Sequence, residues 1–167
     1  GGLPVATAPE DTVFMISASL HWKAEAAPLH QVCLIGGRGA APDARWTTVL
    51  CSGQTSLLCA FAVLLRHFAP DLVVGFNDGD YDWPFVLTKV QQAGLLAFYA
   101  STVSALPPWR PTEEGVQKWN IARDKRIKIS GGDNSVCVTF FNVPGWVAMD
   151  VRVMFMQLYP RAEVGKG

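Results

Sequence analysis

The chain has 167 residues, of which 50% are hydrophobic and 17% charged; that suits one domain with a packed core and excludes disorder by composition. Lys plus Arg is 14 and Asp plus Glu is 14, for a net charge of +0, which excludes bulk positive charge as the basis of nucleic-acid binding. The longest apolar run, Leu57 to Leu65, is well short of the roughly 20 residues that cross a bilayer, so no membrane partner is expected.

Residues 1–11 are small, Pro-containing and nearly uncharged, and read as a linker or a lead-in. The start, Gly1-Gly2-Leu3-Pro4, has no basic or apolar leader region, and both ends are expected to be cuts in a longer polypeptide. Thr12–Trp22, His30–Ile35 and Trp46–Cys51 read as three strands in succession, which suggests an antiparallel meander. Ser52 is a candidate N-cap for a helix whose apolar face is Leu57, Leu58, Phe61, Leu64, Leu65 and Phe68, ended by Pro70. Asp71–Phe76 reads as a short buried strand, Asn77–Asp82 as a turn-rich loop, and Trp83–Leu96 as a second helix with Pro84 in its first turn. Residues of about 100–122, with Pro107, Pro108 and Pro111, read as a surface insertion. Arg123–Ser130 and Val136–Phe141 form a hairpin around Gly131-Gly132-Asp133-Asn134. Trp146–Met149 is a last strand, and Asp150 caps a last helix, Val151–Tyr159. Helix, buried strand, loop and helix after a meander predict an α/β fold with a mixed sheet.

Cys33, Cys51, Cys59 and Cys137 form no C-x-x-C pair and read as reduced core residues of an intracellular protein. The informative segment is Pro70–Phe85, where Asp78, Asp80 and Asp82 follow a strand and precede a helix. Ligands of open α/β sheets bind outside the carboxyl ends of strands, and clustered carboxylates there suit Mg²⁺ or Mn²⁺. Asp and Asn also favour turns and caps for local hydrogen-bonding reasons, and the residues alone leave both readings open. A calcium loop is excluded, because its twelfth position would be Lys89.

Asn77, three residues, Tyr81 and Asp82 resemble the second exonuclease motif of family-B DNA polymerases. Asp71–Phe76 before it and Pro84-Phe85 after it fit the same context. Phe14–Ser17 with Leu20-His21-Trp22 resembles the strand after the family's first motif, and Met149–Arg152 the strand-to-helix step before its third. The resemblance covers roughly residues 10–164. It implies a ribonuclease-H-like mixed sheet with flanking helices and a hairpin insertion, truncated here to a partial exonuclease domain over 12–164. It also implies 3′→5′ proofreading: hydrolysis of the 3′-terminal phosphodiester of DNA with two Mg²⁺ or Mn²⁺ ions. By the same resemblance Asp82 is the catalytic, metal-binding aspartate, and Asn77, Tyr81 and Phe85 contact substrate. The implied partners are a DNA primer 3′ end or single-stranded DNA, and a polymerase domain in the same longer chain. The implied place is a nuclear or viral replication site.

The chain departs from the family at two motifs. No Asp-x-Glu precedes Thr12; Glu10-Asp11 are adjacent and would face opposite sides of a strand. No Tyr-x-x-x-Asp closes the chain, since Tyr159 is followed four residues on by Glu163. The metal set is therefore incomplete, and the fragment alone is expected to be inactive and marginally stable. The alternative is a degenerate ribonuclease-H-like module that binds single-stranded nucleic acid or a protein without catalysis. Asp78 and Asp80 take no role from the family. Arg123, Lys125, Arg126 and Lys128 read as a charged edge strand rather than a phosphate contact. Trp109 and Trp119 read as packing of the insertion rather than base stacking, and His21, His30 and His67 as structural.

Overall fold

The computed structural model describes residues 2–37, 43–104, 122–128, 135–141 and 144–159, and for 122–128 and 135–141 it describes the backbone. Strands β1 (Met15–Leu20), β2 (His30–Gly36) and β3 (Thr47–Cys51) form one sheet in the order β1-β2-β3. Helix α1 (Gln54–Phe68) follows, then β4 (Leu72–Gly75), a π-helical turn (Asp78–Asp82), α2 (Trp83–Gln92) and α3 (Leu96–Val103). The hairpin β5 (Ala122–Lys128) and β6 (Ser135–Phe141) precedes β7 (Val147–Asp150) and α4 (Val151–Leu158). The architecture is mixed α/β, as expected.

The antiparallel meander is only half correct. β1 and β2 are antiparallel, with Met15 opposite Ile35 and Leu20 opposite His30. β2 and β3 are parallel, with Val32 opposite Thr47 and Gly36 opposite Cys51. The two connections, residues 21–29 and residues 37–46, are of similar length, so neither is a tight turn and the strand direction is not fixed by connection length.

α1 forms because its apolar residues recur on one face, and Leu57, Leu58, Phe61, Ala62 and Leu65 are buried against the sheet and α3. Ser52 is not its N-cap. Gly53 takes that place, and Ser56, one turn in, exchanges hydrogen bonds with it: Gly53 N–H donates to Ser56 Oγ at 3.2 Å, and Ser56 Oγ–H to the Gly53 carbonyl at 3.1 Å. Ser52 Oγ instead meets Ser56 Oγ at 3.1 Å. The core continues through Leu34 and Cys51 of the sheet, Trp83, Leu87 and Val90 of α2, and Tyr99, Ala100 and Val103 of α3. Cys33, Cys51 and Cys59 are free thiols.

The single helix expected over Trp83–Leu96 is two. α2 stops at Gln92 because Gly94 sits at φ +67°, a left-handed conformation that only glycine adopts without strain. Gly94 N–H bonds Gln91 O at 3.0 Å and Leu95 N–H bonds Val90 O at 2.9 Å, which closes the helix end in a Schellman motif. The chain then re-enters a helix, so Ala100–Val103, expected to open the insertion, belong to α3, with Ala100 and Val103 buried and Ser101 exposed. The rest of that insertion, with Trp109 and Trp119, and the turn at 131–134 lie outside the described residues.

The segment before β1 lies along α2. Lys89, only 1% exposed, donates from Nζ to the Ala8 carbonyl at 2.6 Å and stands 5.6 Å from the Phe85 ring. Gln92 Nε2 donates to Thr7 O at 3.3 Å, and Tyr81 Oη to Pro4 O at 3.2 Å. β4 and β7 pair in parallel, and Leu72, Val74 and Val147 lie exposed on their outer face. Among the described residues no helix is long and apolar enough to cross a membrane.

Replacing Gly94 by Ala is expected to destabilise the chain by about 1 kcal/mol, because alanine resists the left-handed conformation. Urea unfolding of the two proteins side by side measures it, and equal midpoints would contradict this account of why α2 ends.

Candidate active site at the carboxyl ends of β4 and β7

β4 and β7 are in register with Gly75 opposite Asp150, so two parallel strands end at the same level. Parallel strands present their carboxyl ends as the usual seat for a ligand in α/β sheets. From β4 the chain passes through Asn77, at φ 61° and ψ 16°, a left-handed conformation that asparagine tolerates better than most residues. Asp80 and Tyr81 N–H then both donate to the Asn77 carbonyl at 3.3 Å, and the π-helical turn runs into α2.

Asp150 holds this turn from the β7 side. Its Oδ1 accepts from Asn77 N–H at 2.9 Å and its Oδ2 from Gly79 N–H at 3.3 Å. Oδ1 also accepts from Arg152 N–H at 2.9 Å, the N-cap bond that starts α4, as expected for Asp150. The Arg152 guanidinium returns to the turn, donating to Asn77 Oδ1 and standing 3.5 Å from Asp80 Oδ2.

Asp78 points back over the strand end. Its Oδ2 accepts from Trp83 Nε1 at 3.1 Å, and its Cβ lies 2.7 Å from where a side chain on Gly75 would begin. Residue 75 must therefore be glycine for the turn to fold down this closely. Trp83 itself is buried between Phe61 and Trp146, with ring centroids at 6.1 and 5.8 Å, so the turn is fastened to the core through an indole.

Asp82, the expected catalytic and metal-binding residue, closes the turn and is exposed. Its carboxyl is pushed above the ordinary carboxylate range, first by partial loss of water and then by the nearby charge of Asp150. Asp78 moves the same way for the same two reasons, opposed by its bond from Trp83. The turn thus collects carboxylate charge around Asp150. Of the expected substrate-binding residues, the Asn77 side chain is engaged by Arg152, the Tyr81 hydroxyl by Pro4, and Phe85 is buried with its ring 5.9 Å from that of Tyr81.

The donor chemistry suits a hard divalent cation, which prefers carboxylate oxygens. The number of donors does not: among the described residues no group of three or more Asp, Glu, His or Cys side chains could hold a metal ion.

A strand, a turn bearing Asn77, Tyr81 and Asp82, and a helix opened by Trp83-Pro84-Phe85 thus follow one another at this strand end. The chain belongs to the family described as DNA polymerase family B, exonuclease domain, which matches residues 1–134. Among individual proteins, it is 37% identical over 166 residues to the DNA polymerase beta of African swine fever virus from a Namibian warthog isolate. It is 36% identical over 163 residues to the protein of the same name from a Malawian tick isolate. Each match covers 98% of this chain and 13% of the viral protein, so the chain spans about an eighth of the length of these relatives.

Sequence reasoning missed the second role of Asp150 and the whole role of Arg152. The pairing of β4 with β7 brings them to the turn, and no local pattern announces a pairing across more than 70 residues.

Asp78→Asn keeps an oxygen for the Trp83 indole and removes one of the crowded charges. A carboxyl with a raised folded pKa binds its proton more tightly folded than unfolded, so stability is lost as pH rises through that range. The variant is therefore expected to melt about 2–5 °C higher at pH 7 in low salt. The gain should shrink as pH falls towards about 4, where both states protonate. Thermal melts across pH measure this; a variant that melts lower at pH 7 would contradict it.

Proposed function

We propose that this chain supplies the Asp82 side of a 3′→5′ proofreading exonuclease site in a family-B DNA polymerase, within a ribonuclease-H-like sheet. The observation that carries the reading is the position of Asp82: it ends the stretch that resembles the family's second motif, and it lies on a turn just beyond the carboxyl ends of two parallel strands. The substrate is the 3′ end of a primer or of single-stranded DNA, and the reaction is metal-dependent hydrolysis of the terminal phosphodiester. Mg²⁺ or Mn²⁺, when bound, supplies an activated water and neutralises the leaving oxygen.

Asp82 would hold such an ion through a carboxylate that is exposed and short of counter-charge, and bringing a cation there relieves its repulsion with Asp150. Asn77, Tyr81 and Phe85 shape the wall beside the primer end, and the aromatic pair Tyr81–Phe85 keeps that wall rigid. The remaining ligands come from residues outside the described set, and a polymerase domain of the same longer chain is the source of the 3′ end to be edited. On this reading the chain by itself does not hydrolyse DNA, and its place of action is a site of nuclear or viral replication.

A second reading keeps the same fold without catalysis. In it the domain binds single-stranded nucleic acid or a protein and has lost its chemistry.

The test is degradation of an end-labelled single-stranded oligonucleotide with Mg²⁺ or Mn²⁺ by the natural polypeptide that carries these residues, beside its Asp82→Ala form. The expected outcome is a loss of about 1,000-fold in the variant, as removal of a metal contact implies. Equal activity in both would overturn the exonuclease role of Asp82. Binding of the oligonucleotide with no degradation by either would favour the non-catalytic module.

A further inference from the structure

Asp150 does more than begin a helix. A capping residue needs one acceptor for one N–H near the helix start, and the Arg152 N–H at 2.9 Å fills that need. The same carboxylate spends its other capacity on a different part of the chain: Asn77 N–H at 2.9 Å and Gly79 N–H at 3.3 Å, on the turn that leads to Asp82. The Arg152 side chain closes the loop by donating to Asn77 Oδ1. Asp150 and Arg152 thus grip the turn at its backbone and at its first side chain.

We propose that Asp150, supported by Arg152, is a positioning residue that sets where the Asn77–Asp82 turn presents Asp82. The proposal rests on the exonuclease reading of Asp82 and adds how that carboxylate is aimed. Its physical basis is that Asn77 sits in a left-handed conformation and the next residues form a single π-helical turn, a geometry with few internal bonds to define it. Two charge-assisted bonds to a carboxylate fixed at a strand end supply what the turn lacks. The β4–β7 register, Gly75 opposite Asp150, puts that carboxylate directly at the turn's entrance. Asp150 touches no reacting atom; it acts through the turn.

Capping and positioning can be separated by substitution. Asp150→Ser keeps an N-cap oxygen for Arg152 N–H, but its shorter side chain has one oxygen and cannot span Asn77 and Gly79. Asp150→Asn keeps one carbonyl oxygen and loses one of the two arms to the turn. Both are made in the natural polypeptide, with Asp82→Ala as reference. Amide hydrogen exchange over residues 76–82, exonuclease kcat and KM, and the Mn²⁺ concentration giving half activity are the readouts. Positioning predicts that Asp150→Ser melts close to the parent while the Asn77 and Gly79 amides exchange about tenfold faster. It also predicts a kcat about 10–100-fold lower, an unchanged KM for DNA and a raised Mn²⁺ midpoint, with Asp150→Asn falling between.

Unchanged exchange and activity in Asp150→Ser would overturn the proposal, as would faster exchange with kcat and Mn²⁺ midpoint unmoved. Should the serine form not fold, Asp150→Asn decides by the same readouts. Full activity in Asp82→Ala would overturn the exonuclease reading instead, and amide exchange would still decide whether Asp150 holds the turn.

Discussion

The parallel pairing of β4 with β7 is the constraint on which the site depends. Each strand is four residues long, and neither could order a loop by itself. Pairing sets Gly75 beside Asp150 and so places one carboxylate at the mouth of the turn that follows the other strand. Everything distinctive about the turn follows from that placement. Asn77 can hold its left-handed conformation because its N–H and its side-chain oxygen both have partners from the β7–α4 junction.

The same placement has an electrostatic cost. Asp78 and Asp82 share the neighbourhood of Asp150, and both carboxyls are held above their ordinary range by lost water and by its charge. A site selected for stability alone would not gather like charges in this way. The indole of Trp83 fastens Asp78 to the core while Asp82 stays exposed. One carboxylate is spent on holding the turn and the other is left available.

Much of this was legible in the residues. The apolar spacing of Leu57, Leu58, Phe61 and Leu65 predicted α1 and the face it buries, since a 3.6-residue period survives in any context. Asp150 was readable as a cap, because a cap is a local bond between neighbours. The Asn77-to-Asp82 spacing pointed to the family, which matches residues 1–134. Three local readings failed for identifiable reasons. Ser52 lost the cap position to Gly53 because Ser56 supplies the bond from inside the helix. The helix from Trp83 breaks at Gly94, whose positive φ a periodicity count does not register. β3 runs parallel to β2, because strand direction is set by where a connection can travel and not by the strand's own residues.

By itself the sequence determined the element types, the apolar faces, the α/β character and the motif that carries the family, because each rests on interactions between residues close in the chain. The tertiary structure decided the rest. The β4–β7 register, the double grip of Asp150 on Asn77 and Gly79, the return of Arg152 to the turn and the crowding of three carboxylates all join segments more than 65 residues apart. Such pairings depend on which surfaces remain to be buried once the local elements have formed, and that is a property of the packed whole.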